Sequence, residues 1–186
     1  PHHTFHDLLV IKCDLETSDL VDRGIWKSSE EDRKRLSDMV ADYCYKYVLE
    51  ILKVSRPVIA RLAEMYPLVL VSNFYGNIET ILADFDLQYF KHIVESAVVG
   101  IRKPDPRIFQ LGVDALRKVT GKSDKELPAS NILVVGDSFS KDIVPANEIG
   151  CKTVWIKGVG WGNEETDDSI PTFIIKNIAE LENILG

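Results

Sequence analysis

Five short apolar runs recur along the last two-thirds of the chain, at 68–72, 93–98, 131–136, 153–156 and 172–175, the second interrupted by Glu95 and Ser96. Segments of helical pattern lie between most of them, at 77–84, 106–119 and 140–149, and another follows at 177–185. A strand with one wet face alternates apolar and polar residues. A run that is apolar at successive positions has both faces to bury. Several such strands alternating with helices require a parallel sheet covered on both sides. The expected fold is therefore an open, doubly wound α/β domain.

The chain before this pattern reads differently. From residue 28 to about 53, Leu36, Met39, Val40, Tyr43, Tyr47 and Ile51 recur at the three-and-four spacing of one helical face, with Ser28 and Glu31 as a capping box. Residues 5–23 leave two readings open, a helix or a short buried strand at Leu8–Ile11. Ser55-Arg56-Pro57 reads as the opening of a new helix running to about Tyr66, with serine as cap and proline in the first turn. The expected division is a helical segment at 1–54 and an α/β core at 55–186.

Composition excludes several classes. A net charge of −7 gives nucleic acid or an anionic membrane the wrong sign of attraction, so neither is an expected partner. There is no apolar run of about 18 residues and no basic-then-apolar start, which leads to a cytoplasmic expectation. Cys13, Cys44 and Cys151 form no C-x-x-C pair and read as reduced packing thiols. His2, His3 and His6 lie at the amino terminus and His92 stands alone before a strand, so a structural role is expected for all four. Trp155 is expected in the core, and Trp161 at the rim of the crevice.

The candidate site lies where the strands end. In a doubly wound sheet the carboxyl ends of the strands form the binding crevice, so polar residues placed there face a ligand. Ser72 and Asn73 follow one strand and Asp137 another, with Asp142 five residues on. Lys103 lies in 100-GIRKPDPRIF-109, where Pro104 and Pro106 stiffen the backbone. Such a set suits a phosphoryl group. Ser72 and Asn73 would bind its oxygens, Lys103 would offset its charge, and Asp137 would hold a hard cation, for which Mg2+ is the natural choice.

These stretches resemble the motifs of the haloacid dehalogenase-like hydrolase superfamily. The apolar strand ending in Ser72-Asn73 matches its second motif, Lys103 in R-K-P-D-P-R-I-F its third, and V-V-G-D-S-F-S-K-D, with Asp137 and Asp142, its fourth. The ordered set covers residues 55 to 160. The resemblance implies a magnesium-dependent phosphatase that acts on a small phosphorylated metabolite through an aspartyl-phosphate. Ser72 would hydrogen-bond the phosphoryl group, Lys103 would bridge it and the nucleophile, and Asp137 would bind the metal. Asp142 would support either the metal's surroundings or the lysine. The resemblance further implies that residues 1–54 are the remainder of a helical cap.

The chain departs from the pattern in two places. Pro145 falls inside the helix after the fourth motif, where it is expected to strain the ladder. The first motif, D-x-D-x-T after an apolar strand, has no clean match. One reading places it at 8-LLVIKCDLETSD-19, with Asp14 as nucleophile and Glu16 as acid/base in a D-x-E-x-S variant. The other places it upstream of Pro1, and then the strands ending at Ser72 and Asp137 would lack a neighbour between them. A haloacid dehalogenase and an inactive binding module are the alternative functions.

Overall fold

A computed structural model describes residues 3–158 and 165–185. The chain forms two compact units, Pro1–Arg56 with Glu79–Gln88, and Pro57–Ile78 with Tyr89–Gly186. The segment 79–88, expected in the α/β core, thus packs with the first unit.

The first unit is helical. Helix α1 (Phe5–Asp22) opens on a capping box in which Thr4 and Asp7 exchange side-chain and backbone hydrogen bonds. That resolves residues 5–23 as a helix, because the cap satisfies its first free N–H groups. Helix α2 (Glu30–Met65) is continuous through Ser55-Arg56-Pro57, where the sequence pattern had a new helix beginning. Ser55 is no cap: its hydroxyl donates to the Ile51 carbonyl one turn back. Ser29 fills that place at the start of α2, accepting from the Asp32 N–H at 3.1 Å.

The face of α2 that is buried is not the one its apolar periodicity marks. Arg33, Ser37 and Ala41 are buried, at four-residue spacing, whereas Met39, Tyr43 and Tyr47 are more than half exposed. Arg33 explains the choice. Its guanidinium donates to Glu30 within α2 and to the Asp14 carboxylate, the Asp14 carbonyl and the Thr17 hydroxyl of α1. Phe5 and Tyr45 pack on Phe85, at centroid distances of 5.4 and 6.2 Å, and close the other end of the unit.

The second unit carries all five expected strands: β1 (Val69–Ser72), β2 (His92–Glu95), β3 (Leu133–Gly136), β4 (Lys152–Ile156) and β5 (Phe173–Ile175). Every pairing is parallel. The strands form two sheets, β1-β2 and β3-β4-β5, with no ladder joining β1 to β3 among the described residues. Helices α3 (Ile78–Asp84), α4 (Ser96–Val99) and α5 (Arg107–Thr120) follow β1 and β2, and α6 (Val144–Glu148) and α7 (Leu181–Leu185) complete the order.

Two cores cover the strands of this unit. One gathers Val94, Ile108, Phe109, Val113 and Ile132, with Val69, Val71 and Val134 packed against it. The other gathers Val58, Leu62, Val154, Ile175 and Leu181, with Leu68 and Leu133 packed against it. Neighbouring strand residues such as Leu133 and Val134 belong to different cores, so the two lie on opposite faces. This is the double burial that the continuous apolar runs demanded. Pro145 causes no strain. Residues 139–143 form a wide π-type turn, and the proline falls in the first turn of α6, where a missing N–H is tolerated.

Candidate active site

Three loops deliver polar groups to one end of the second unit. After β1, the loop 73–76 is held by the polar residues that interrupt the second apolar run. The Ser96 hydroxyl accepts from the Phe74 N–H at 3.1 Å and donates to the Phe74 carbonyl. The buried Glu95 carboxylate accepts from the Gly76 N–H at 2.6 Å, with Gly76 at a φ of 95° that favours glycine. Glu95 and Ser96 therefore anchor the turn beyond Ser72, a role that reading the sequence missed.

Asn73 ties the first loop to the second. Its amide nitrogen donates to the Lys103 carbonyl at 3.0 Å, and its amide oxygen accepts from the Lys103 N–H at 2.8 Å. The side chain expected to meet a phosphoryl group is thus engaged with the lysine's own backbone. Asp105 finishes the second loop. It accepts from the Arg107 N–H and guanidinium, and that guanidinium holds the Asp105 carboxyl below its ordinary range. The K-P-D-P-R stretch is in this way a lysine platform joined to a helix start.

The third loop follows β3. Lys103 Nζ donates to Asp142 Oδ1 at 2.6 Å, and Asp142 Oδ2 accepts from the Ser138 N–H at 3.0 Å. Asp142 is 4% exposed. Each of its oxygens accepts one of these hydrogen bonds, so the carboxylate ties the lysine to the loop after β3. Asp137 differs. It is exposed, and its carboxylate has no hydrogen-bond partner among the described residues, while its carbonyl accepts from Trp155 Nε1 at 3.0 Å. Trp155 is in the core as expected, packed on Phe139 with ring centroids 5.2 Å apart, and it fixes the Asp137 backbone.

Gly136 makes this loop possible. A Cβ there would lie 2.4 Å from Asp142 Cβ, so only glycine lets the carboxylate fold back on the strand end. Gly112 of α5 does the same for the first strand, since a Cβ there would lie 2.8 Å from Val71 Cγ2.

The arrangement fits a hard cation at Asp137 in the limited sense magnesium requires, one free carboxylate beside open space for water and phosphate. No group of three or more His, Cys, Asp or Glu side chains converges among the described residues. Ser72, Lys103, Asp137 and Asp142 all line one cavity of about 540 Å³ within the second unit. Asn73 does not line it and is bonded instead to the backbone of Lys103.

The remaining sequence candidates lie elsewhere. Asp14 and Glu16 belong to a helix of the first unit, not to a turn after a strand. Asp14 is bonded to Arg33, and Glu16 pairs with Lys12 at 3.7 Å. The D-x-E-x-S reading fails because the apolar stretch before it is one turn after another of α1. His6 is bonded to Asp42 and His92 opens β2 on the surface. Trp161 and His2 lie outside the described residues. Cys13 and Cys151 are buried free thiols, and burial raises both, Cys151 to about 11.

Comparison with known proteins bears on the family. The chain is 32% identical over 99 residues to the glyceraldehyde 3-phosphate phosphatase of Methanopyrus kandleri, covering 52% of this chain and 39% of that protein. It is 30% identical over 97 residues to the pyrimidine 5'-nucleotidase YjjG of Escherichia coli, again covering 52% and 39%. The matched part is therefore well under half of each relative's length. Among solved structures, a HAD phosphatase from Thermococcus onnurineus superposes with a TM-score of 0.60 at 22% identity, covering 97% of this chain and 92% of that one. The model of the haloacid dehalogenase-like hydrolases matches residues 22–150, more than half of the chain. The chain belongs to the haloacid dehalogenase-like hydrolase family.

Proposed function

We propose that the second unit is the phosphoryl-handling part of a magnesium-dependent phosphatase acting on a small phosphorylated metabolite through an aspartyl-phosphate. The observation that carries the reading is the Lys103–Asp142 pair at 2.6 Å beside the free carboxylate of Asp137. Lys103 is mostly buried, and Asp142 and Asn73 fix both its ammonium and its backbone. A cation so held is organised before substrate arrives, which makes it effective against the charge of a phosphoryl group. The Ser72 hydroxyl donates to a phosphoryl oxygen. Asn73 and Asp142 act as positioning residues. Asp137 would hold Mg2+, which when bound supplies charge neutralisation at the phosphoryl oxygens. The attacking carboxylate is not among the described residues lining the cavity, whose two aspartates already have these roles.

A second reading has one observation in its favour. The chain is 27% identical to the (S)-2-haloacid dehalogenase of Pseudomonas putida over 158 residues, 84% of this chain. Dehalogenation by an aspartate ester needs no metal, and it gives Asp137 no task. The discriminating experiment uses a protein that carries the attacking carboxylate along with this chain and follows hydrolysis of p-nitrophenyl phosphate and chloride release from 2-chloropropionate, each with and without Mg2+. The phosphatase reading expects hydrolysis that requires Mg2+ and falls about 100-fold in Lys103→Met. Metal-independent chloride release would overturn it.

A further inference from the structure

On the phosphatase reading, we infer that Tyr75 is a specificity-determining residue at the rim of the site, selecting phosphate monoesters whose alcohol carries a flat aromatic or heteroaromatic ring. Tyr75 is 82% exposed, more than any other large apolar side chain among the described residues. Scattered apolar side chains are ordinary at a surface, so exposure alone does not mark a site. What sets Tyr75 apart is how firmly the chain on both sides of it is held.

The other three residues of loop 73–76 are each tied to a different partner within the second unit. Asn73 is bonded to the Lys103 backbone in both directions. Phe74 gives its N–H to the Ser96 hydroxyl at 3.1 Å and accepts from that hydroxyl at its carbonyl. The Gly76 N–H donates to the buried Glu95 carboxylate at 2.6 Å. Glu95 is the ladder partner of Ser72, so the loop leaves the strand end at Ser72 and is brought back to the residue beside it. The Phe74 ring packs on Tyr75, with centroids 5.3 Å apart and the planes tilted by 56°. Tyr75 is therefore an exposed ring on a braced turn. Little freedom is lost when such a ring meets a ligand, the condition under which an aromatic contact contributes most.

The same braces belong to the phosphoryl site. Ser72 and Lys103 line the cavity, whereas Tyr75, three residues beyond Ser72, stands outside it. The outside is where selection of an ester takes place. With the phosphoryl group drawn to Lys103 at the carboxyl ends of the strands, the alcohol it is joined to extends outward past those ends. The rim beside Ser72 is apolar: Ala97 lies 4.0 Å from a Cβ placed at Gly76, and Val98, next in α4, is 73% exposed. Residues 72–78 include no charged side chain, so nothing in the loop matches a second anionic group on the substrate. A flat ring matches what is there, the face or edge of a fixed phenol.

The test uses a protein that carries the attacking carboxylate along with this chain, supplied with Mg2+. Release of inorganic phosphate is followed from benzyl phosphate and from cyclohexylmethyl phosphate, which share the phosphoryl group and differ in whether the ring is aromatic. The expected result is a kcat/KM about five- to tenfold higher for the benzyl ester, with the difference in KM. Tyr75→Ala should lose that preference and Tyr75→Phe should keep it. A parent that releases phosphate from neither ester overturns the phosphatase reading, and the role of Tyr75 with it. Release from both without a preference overturns the role of Tyr75 alone. So does a preference that persists in Tyr75→Ala, or one that Tyr75→Phe loses, which would make the hydroxyl rather than the ring the group that is read.

Discussion

Lys103 Nζ and Asp142 Oδ1 lie 2.6 Å apart although 39 residues separate them, and Asp142 Oδ2 is held at the same time by the Ser138 N–H. The pair is nearly closed to solvent. Removing one partner would leave the other charged and desolvated, which costs more than a surface pair contributes. Asp142→Ala should therefore lose about 3 kcal/mol in urea unfolding, toward the low end for a buried pair because the lysine keeps some exposure. Asp142→Asn should lose less stability yet abolish most Mg2+-dependent phosphate hydrolysis. Unchanged activity in Asp142→Asn would mean that the lysine is placed without its carboxylate.

Gly136 gives a steric test of the same loop. Gly136→Ala drives a Cβ to within 2.4 Å of Asp142 Cβ and should cost about 1–3 kcal/mol while displacing the carboxylate from Lys103. Gly158→Ala meets nothing within 4 Å and should stay within about 0.5 kcal/mol of the parent. Denaturation midpoints of the two variants separate a special close approach from a general dislike of alanine.

Asn73 is predicted to act through Lys103. Asn73→Ala removes two hydrogen bonds to the Lys103 backbone and should cost about 2 kcal/mol. If Asn73 only positions the lysine, the Asn73→Ala and Lys103→Met effects on turnover will be strongly non-additive in a double-mutant cycle. Additive losses would instead place the Asn73 amide on the substrate.

Arg33 is expected to hold the first unit together. Glu30 and Asp14 on either side raise its guanidinium above its ordinary range, so it remains charged throughout the accessible pH range. Arg33→Met should speed amide exchange along α1 and leave β1 to β5 protected as before. Exchange slowed or unchanged at α1 would show that the apolar contacts alone suffice.

Cys151 predicts a pH dependence. Burial holds its thiol at about 11, against 9.0 for the free group, so the folded chain keeps the proton while the unfolded chain loses it. Below pH 9 both states are protonated, and the stabilisation is fully present. Between pH 9 and 11 the unfolded state gains from ionising, and stability should fall by about 2–3 kcal/mol. Cys151→Ala should flatten that part of the stability curve, measured by urea unfolding at successive pH values.

How much of this could be read from residues alone differs from element to element. The strands at 69–72, 92–95, 133–136, 152–156 and 173–175 were legible because burial on both faces leaves an unbroken apolar run, and Ser72 and Asp137 were legible because they end such runs. Asp142 was visible as a motif residue, but not its bond to the lysine, which depends on a partner 39 residues away. The helix through Asp14 was one of two open readings, settled by the Thr4 cap and by the bond to Arg33.

Periodicity along α2 failed in an instructive way. The stripe of Met39, Tyr43 and Tyr47 announces that a helix has an apolar face, and nothing in it says which neighbour the helix meets. The face that packs is instead Arg33, Ser37 and Ala41, since one buried guanidinium with four acceptors outweighs the pattern. Local patterning thus determined the order of strands and helices and the polar residues at the strand ends, because burial imprints itself on neighbouring positions. Only the tertiary structure decided that Asn73 and Asp142 are both bonded to Lys103. Those relations depend on distances between segments, and a single segment carries no record of them.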